Sequence, residues 1–158
     1  MEIRKVNNND LEQLTQLIIE FKEGLTDFEP EDLKVFRRKI KSSDLIKKSV
    51  KEEIDNPNGL FLVAEDENKL VGFIFGTIRE NTHMVYDTVK FGMLNHIWIT
   101  NNYRGRGLAS KFKDNLFQWF KDNNCKYIKL LVLDANPTKH IYEKWGFEIV
   151  LDSMVKVI

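Results

Sequence analysis

The sequence is poor in cysteine and proline, and it has no excess of charge of either sign. Its 158 residues include one cysteine, Cys125, and three prolines. A single cysteine excludes an internal disulfide and suits a reducing compartment. The 24 basic and 24 acidic residues cancel to a formal net charge of zero. This balance argues against a dedicated nucleic-acid binder, because phosphate contacts require a basic excess.

Long apolar runs are also missing. The start, MEIRKVNNND, lacks the apolar centre of a signal peptide, and no run is long enough to cross a bilayer. We therefore expect a cytoplasmic protein that does not act at a membrane. With 42% hydrophobic residues, the chain suits one domain over residues 1–158 with its own core.

The stretch from Leu94 to Phe120 organises the rest of the chain. Leu94 to Ile99 is short and rich in β-branched and aromatic residues, which predicts a strand. A helix is predicted after it, with Gly105 and Gly107 at its start, where unpaired N–H groups and the helix dipole favour an anion. The apolar residues of that helix recur at three- and four-residue spacing and share one face: Leu108, Ala109, Phe112, Leu116, Trp119 and Phe120.

Three glycine-rich signatures compete to describe this turn. The P-loop pattern GxxxxGK is absent. The dinucleotide pattern GxGxxG or GxGxxA nearly fits, but Ser110 occupies its last position, and Thr100 to Arg104 separate the strand from the first glycine. Asp134 stands where a ribose-binding acid is expected, so this alternative stays open. The third signature, Arg/Gln-x-x-Gly-x-Gly/Ala, is matched without a gap by Arg104-Gly105-Arg106-Gly107-Leu108-Ala109. A turn that only joins a strand to a helix is the simplest alternative.

A second motif lies about thirty residues further on. Tyr127 to Leu133 is nearly continuous in apolar residues, which predicts a strand buried on both faces. Asn136 then stands at an N-cap position, with Pro137 as the first helical residue. The short helix that follows ends at Gly146, which suits a left-handed C-terminal residue. Its apolar face is formed by Ile141, Tyr142 and Trp145.

These two motifs carry a resemblance to a known family. Residues 104–109 resemble the acetyl-CoA pyrophosphate loop of the GNAT N-acetyltransferase superfamily, and residues 136–147, NPTKHIYEKWGF, resemble its second cofactor motif. The resemblance covers the C-terminal half firmly and the N-terminal half only by pattern. It implies an α/β, GNAT-like fold: a mixed central sheet with antiparallel N-terminal strands, splayed parallel strands in the middle and helices on both faces.

The remaining segments are consistent with that expectation. Strands are predicted at residues 2–6, 60–64, 69–79 and 147–158, with the second and third forming a hairpin. Helices are predicted at residues 11–21, 31–40 and 43–54. Residues 80–90, which include His83 and Tyr86, are compatible with either a strand or a loop over the active site.

The resemblance also implies a cofactor site. Acetyl-CoA would be the acetyl donor, with its pantetheine arm between the two parallel strands. Backbone groups of Ile97, Trp98 and Ile99 would bind the arm, and one N–H there would hold the thioester oxygen. The diphosphate would lie on residues 104–109. Asn136 would contact the arm, although an N-cap role explains it equally well. No metal is expected.

Tyr142 matches the family's tyrosine that donates a proton to the CoA thiolate. Packing of an aromatic ring beside Trp145 is the alternative interpretation. A proton donor to sulfur needs a hydroxyl, which favours the catalytic role.

The general base stays unassigned at this point. Family members often have a glutamate on the central strand, where this chain has Asn95 and His96. Histidine titrates close to neutral pH, so His96 is a candidate. Strand alternation predicts Asn95 with Ile97 and Ile99 on one face, and His96 with Leu94 and Trp98 on the other. Only one of the two would then face the acceptor, and a structural histidine is equally compatible.

The reaction implied is transfer of an acetyl group to a primary amine of a small molecule or peptide. A non-catalytic CoA-binding sensor and a dinucleotide-binding module are the alternatives. We expect no nucleic-acid or membrane partner, and a monomer or homodimer. The family's acceptor pocket corresponds to residues 21–40 and 80–90, whose acids would attract a cationic amine or are ordinary solvated side chains: Glu23, Asp27, Glu29, Glu31, Asp32, Glu80 and Asp87.

Overall fold

A mixed sheet of five strands forms the centre of the molecule. A computed structural model describes residues 1–36, 43–82, 85 and 87–156 of the chain. The strands lie side by side in chain order, antiparallel from the first to the fourth, and the fifth runs parallel to the fourth. They are β1 (Glu2–Lys5), β2 (Gly59–Asp66), β3 (Lys69–Asn81), β4 (Val89–Ile99) and β5 (Ile128–Leu130). The predicted mixed sheet is confirmed.

Helices cover both faces of this sheet, as the family resemblance implied. On one face, α1 and α3 pack against the sheet through a core that includes Leu14, Val50 and Phe73, all 1% exposed or less. On the other face, α4 packs through Phe112 and Leu116, which are fully buried. The helices are α1 (Leu11–Gly24), α2 (Glu31–Lys34), α3 (Ser43–Ile54), α4 (Leu108–Asp122) and α5 (Lys139–Lys144).

Strand β4 contains a bulge at Asn95. Phe75 pairs with His96 and Gly76 pairs with Leu94, so Asn95 is an extra residue on β4. A bulge interrupts the alternation of side chains between the two faces. Leu94 consequently packs with the core beneath α4, and this corrects the prediction that it shares a face with His96.

Strand β5 is shorter and more exposed than predicted. It covers Ile128–Leu130 rather than residues 127–133, and it pairs with β4 over three positions that end at Leu94 and Leu130. The next residue, Leu131, is 92% exposed. Within the described residues β5 is an edge strand of the sheet, and its side chains are partly or fully exposed instead of buried on both faces.

The predicted C-terminal strand is also wrong over the residues that the structure describes. Residues 147–156 form no strand, while residues 157 and 158 lie outside the described part. A strand requires a neighbouring edge with which to exchange backbone hydrogen bonds, and this segment pairs with none among the described strands. Its apolar side chains are therefore exposed: Ile149, Val150, Leu151, Met154 and Val155.

Two smaller predictions fall partly outside the described residues. Of the helix predicted at residues 31–40, the structure has Glu31–Lys34, and residues 37–40 are not described. His83 and Tyr86, between β3 and β4, also lie outside the described residues. Among the helices that the structure does describe, none combines the length and apolar character needed to cross a membrane.

Candidate active site

The glycine-rich loop lies at the start of α4, and its backbone explains its sequence. Gly107 is the N-cap of α4 with φ of +76°, and Gly105 has φ of +74°. A side chain strains the backbone in this left-handed region, which is why glycine suits both positions. A Cβ atom at either glycine would meet no other atom within 4 Å. The loop thus presents an open, exposed surface beside the free N–H groups of the first helical turn.

Both arginines of the loop are exposed, and both contact aromatic rings. The Arg104 Nε atom donates to the backbone oxygen of Ile99 at 2.9 Å, and its guanidinium lies 4.7 Å from the Trp98 ring centre. The Arg106 guanidinium lies 5.1 Å from the centre of the Tyr103 ring. These contacts attach the loop to the end of β4 and leave positive charge at its surface.

Tyr103 connects the same loop to the β2–β3 hairpin. Its hydroxyl donates to the Asp66 carboxylate at 2.8 Å. This hydrogen bond lowers the pKa of Asp66 and raises the pKa of Tyr103. The loop is therefore anchored to the sheet at two points.

Beyond the bulge, the described part of β4 has no strand partner on the side of β5. Pairing between the two strands ends at Leu94 and Leu130, so the sheet opens along Asn95 to Ile99. The side chains of Ile97 and Ile99 pack against the core beneath α4, and Trp98 packs with Phe21 on the opposite face. These side chains therefore pack in the interior, and their backbone borders the opening.

The bulge places Asn95 and His96 on one face of the sheet, which corrects the prediction that they point in opposite directions. The Thr77 hydroxyl donates to Asn95 Oδ1 at 2.9 Å, and Arg79 Nε donates to the same hydroxyl at 3.3 Å. Thr77 is two residues from Phe75, whose ring stacks against His96 at 6.2 Å between centres. Asn95 and His96 thus both lie on the α1 and α3 side of the sheet, at the edge of the opening.

An acid that the sequence analysis missed lies beside His96. Glu53 Oε1, from the last turn of α3, is 3.4 Å from His96 Nε2, and both side chains are about three-quarters buried. Glu53 follows Ile46 and Val50 at helical spacing on the buried face of α3. The available signal in the sequence is an acid within an apolar stripe, on a helix that lies outside the central strand.

The second motif forms a connected polar group around Tyr142. Asn136, 9% exposed, accepts hydrogen bonds through Oδ1 from the backbone N–H and the hydroxyl of Thr138, at 3.0 and 2.8 Å. Thr138 is the N-cap of α5. Asn136 and Pro137, which were predicted as the N-cap and the first helical residue, therefore both lie before the helix. Burial raises the pKa of Tyr142, against a smaller lowering by a hydrogen bond with Thr138. The phenol therefore keeps its proton at neutral pH.

Most of the predicted acceptor acids are exposed in this structure, as side chains at a pocket mouth or on any other surface would be. Among them, Glu29 alone is partly buried; Glu31 pairs with Lys34, their side-chain atoms 2.6 Å apart.

Asp134, the candidate ribose-binding acid, accepts a hydrogen bond from Lys139 Nζ at 2.7 Å, which lowers the pKa of Asp134. One parallel strand pair among the described strands does not make a dinucleotide fold, whose halves are parallel. Within the described residues, no three His, Cys, Asp or Glu side chains form a metal-binding group.

Comparison with known proteins agrees with this architecture. A curated protein from Archaeoglobus fulgidus, described as an uncharacterized N-acetyltransferase, is 24% identical over 136 residues, or 86% of this chain and 84% of its own. A mutant of the BH1408 protein from Bacillus halodurans superposes with a TM-score of 0.87 at 17% identity, over all of both chains. The aminoglycoside N-acetyltransferase AAC(6')-Iy, solved in complex with CoA, superposes with a TM-score of 0.71 at 16% identity, over 99% of this chain and 98% of its own.

The sequence itself matches a family model. The Acetyltransferase (GNAT) family model matches residues 18–147, which include α3, the opened edge of β4, the glycine-rich loop and α5. The match covers most of the chain and both motifs. The chain therefore belongs to the acetyltransferase (GNAT) family of acyltransferases.

Proposed function

We propose that this protein transfers the acetyl group of acetyl-CoA to a primary amine on a small molecule or a peptide. The observation that carries the proposal is the position of the glycine-rich loop. It follows β4 after a short turn at residues 100–103, at the end of the strand where pairing with β5 has stopped. A binding site for a diphosphate is thus adjacent to an opening in the sheet that has room for an extended arm. When bound, acetyl-CoA would supply the acetyl group as a thioester that an amine can attack.

The loop fits a diphosphate for reasons visible in its backbone. The left-handed glycines, Gly105 and Gly107, leave open space where a side chain would otherwise stand. The first N–H groups of α4, on Leu108 and Ala109, lack partners within the helix and favour an anion with the helix dipole. Arg104 and Arg106 add two positive charges beside them, so residues 104–109 are our proposed diphosphate site.

The opened edge of β4 is the proposed seat of the pantetheine arm. Backbone groups of Ile97, Trp98 and Ile99 would hydrogen-bond the arm, and one backbone N–H would hold the thioester oxygen. One positioned donor to such an oxygen is worth about 3 kcal/mol in the transition state. The Oδ1 atom of Asn136 is engaged by Thr138. The side-chain amide N–H groups of Asn136 would then donate hydrogen bonds to the arm.

Tyr142 is the proposed acid. A partly buried phenol that keeps its proton can donate it to the CoA sulfur as the carbon–sulfur bond breaks. Its ring is held by Trp145 and Phe147, with centres 5.6 and 6.2 Å away. These contacts orient the side chain, so its packing and its catalytic role are compatible.

His96 is the proposed proton acceptor for the attacking amine. It lies at the beginning of the opening in the sheet, and its side chain is 24% exposed, so an amine can approach it from solvent. Asn95 shares this face, but its carbonyl oxygen is engaged by Thr77. We assign Asn95 to shaping the site and His96 to accepting the proton.

The test is an assay of CoA release with acetyl-CoA and a panel of polyamines, aminoglycosides, amino acids and short peptides. Aminoglycosides belong in the panel because a structural neighbour acts on them. We expect a preference for cationic amines, with catalytic efficiency falling as salt rises, because screening weakens attraction to acids near the site. A preference for neutral or anionic amines, insensitive to salt, would contradict the acceptor assignment. Acetyl-CoA binding without turnover on any amine would instead indicate a CoA-binding sensor.

A further inference from the structure

We propose that Glu53 is the residue that positions His96 for catalysis, by holding its imidazole ring in the orientation that accepts the amine proton. The inference rests on the proposed function and assigns a role to a helix, α3, that neither motif includes. It begins from one contact: Glu53 Oε1 lies 3.4 Å from His96 Nε2. This distance is longer than a hydrogen bond of about 2.7–3.2 Å, as is common in sites without substrate.

The Glu53 side chain lies beside an apolar core and is about three-quarters buried. On the same face of α3, Val50 is 1% exposed and Ile46 is 8% exposed, and both belong to the core shared with α1 and the sheet. The second carboxylate oxygen of Glu53, Oε2, is buried and has no hydrogen-bond partner among the described residues. Burying an unpaired carboxylate oxygen costs free energy. Packing alone would therefore favour an apolar residue at this position.

The surroundings of His96 restrict its ring in turn. Phe21 and Phe75 lie on it with ring centres 5.4 and 6.2 Å away. These two rings limit rotation of the imidazole but offer it no hydrogen-bond acceptor. The carboxylate of Glu53 supplies one at Nε2. On the same face of β3, the Arg79 Nε atom donates to the Thr77 hydroxyl.

The contact determines which ring nitrogen can act as a base. A carboxylate facing Nε2 favours the neutral form with its hydrogen on Nε2, which leaves a lone pair on Nδ1. As the bond between the amine nitrogen and the acetyl carbon forms, Nδ1 takes a proton from that nitrogen. The carbon–sulfur bond then breaks, and Tyr142 gives its proton to the sulfur. The imidazolium is formed beside the carboxylate of Glu53, which stabilises it. Its proton later passes to water, and the Tyr142 phenolate takes a proton back from water, so both groups return to their starting forms.

The kinetic test uses the best amine from the panel and two substitutions that suit the site. Glu53→Leu fills an apolar position, so we expect the melting temperature to stay the same or rise. We expect kcat to fall at least about tenfold, while KM for the amine changes less than about twofold, since the interaction acts through the ring. Glu53→Gln keeps an oxygen that can accept a hydrogen bond from Nε2–H, so it should keep most of the activity that Glu53→Leu loses.

The control is the same substitution in a His96→Asn background. If Glu53 acts through His96, Glu53→Leu should change kcat less than about twofold there, because coupled residues are non-additive. An equal fall in kcat in both backgrounds would overturn the proposal. So would an unchanged kcat in the Glu53→Leu single variant, or a fall accompanied by a matching loss of thermal stability.

A spectroscopic test separates this inference from the proposed function, because it needs neither acetyl-CoA nor an amine. Nitrogen-15 NMR of the ring nitrogens reports which one carries the hydrogen, and His96→Asn assigns the signal among the three histidines. We expect hydrogen on Nε2 in the wild-type neutral ring. In Glu53→Lys the ammonium should shift the hydrogen towards Nδ1. The same tautomer in both folded proteins would overturn the contact itself, whether or not the protein acetylates amines.

Discussion

Tyr142 carries the most direct prediction about chemistry. Tyr142→Phe removes the hydroxyl and keeps the ring that packs on Trp145 and Phe147. We expect kcat to fall roughly 100-fold, the scale of a lost general acid, with KM for acetyl-CoA nearly unchanged. Steady-state kinetics measures both. Tyr127→Phe is the matched control, because that phenol stacks on Phe91 at the start of β5. Equal turnover in Tyr142→Phe and wild type at every pH would contradict the role.

Asp10 allows a stability prediction with a definite pH dependence. It is 5% exposed, and its carboxylate oxygens each accept a hydrogen bond of 2.8 Å from Arg4. Those bonds to Arg4, more than the backbone bond from Asn7, hold the pKa of Asp10 below its usual value. A lowered folded-state pKa gives stability that is present above the unfolded-state value and is lost as pH falls through the folded-state value.

We therefore expect Asp10→Asn to lower the free energy of unfolding by about 2 kcal/mol at pH 7. The difference from wild type should shrink as the pH falls below about 4, where the unfolded carboxyl titrates. Urea unfolding between pH 7 and pH 3 measures this trend. Asp32→Asn, at an exposed position, is the control and should change little. A deficit that stays constant over the whole pH range would show that the charge of Asp10 is not its source.

At the scale of elements, the contact between β4 and α4 is tight enough to predict a steric effect. A Cβ atom at Gly92 would lie 2.5 Å from the nearest ring atom of Phe120, which is 1% exposed. Gly92→Ala should therefore lower the free energy of unfolding by about 1–3 kcal/mol, the usual cost of overpacking. Thermal or urea unfolding measures it.

A second substitution tests the cause of that loss. Phe120→Leu shortens the ring that meets the new methyl group, so the double variant should be more stable than the sum of the single effects implies. Strict additivity of Gly92→Ala and Phe120→Leu would place the strain elsewhere than at this contact.

The elements also show which features of the site could be predicted. The loop and the helix α4 follow from local signals, since glycines, caps and helical periodicity act over a few residues. The bulge at Asn95 depends on the pairing of β3 with β4. That register is set by contacts between distant segments. Alternation along the strand therefore predicted Asn95 and His96 on opposite faces. It carries no information about Glu53, which lies on α3.

At the scale of the whole molecule, the mixed sheet with helices on both faces was implied by the family resemblance of the two motifs, while periodic patterns predicted the individual helices α1, α3 and α4. The C-terminal segment was not predicted correctly. Residues 147–156 have a strand-like composition, yet they pair with no described strand. Leu131, the residue after β5, is exposed as well. The composition of a segment indicates that it can form a strand. Whether it does depends on a free sheet edge with which its backbone can pair.

The whole-molecule account depends on acetyl-CoA binding at the start of α4. The direct measurement is calorimetric titration of acetyl-CoA into wild type, Gly107→Ala and Gly107→Glu. Both substitutions strain a left-handed backbone, at a cost of about 1 kcal/mol, but only the glutamate adds a negative charge where the helix dipole favours an anion. We predict that wild type binds acetyl-CoA and that Gly107→Ala binds it with modestly lower affinity. The affinity of folded Gly107→Glu should be at least tenfold lower than that of Gly107→Ala. Absence of binding by wild type, or equal affinity in the two folded variants, would contradict the account.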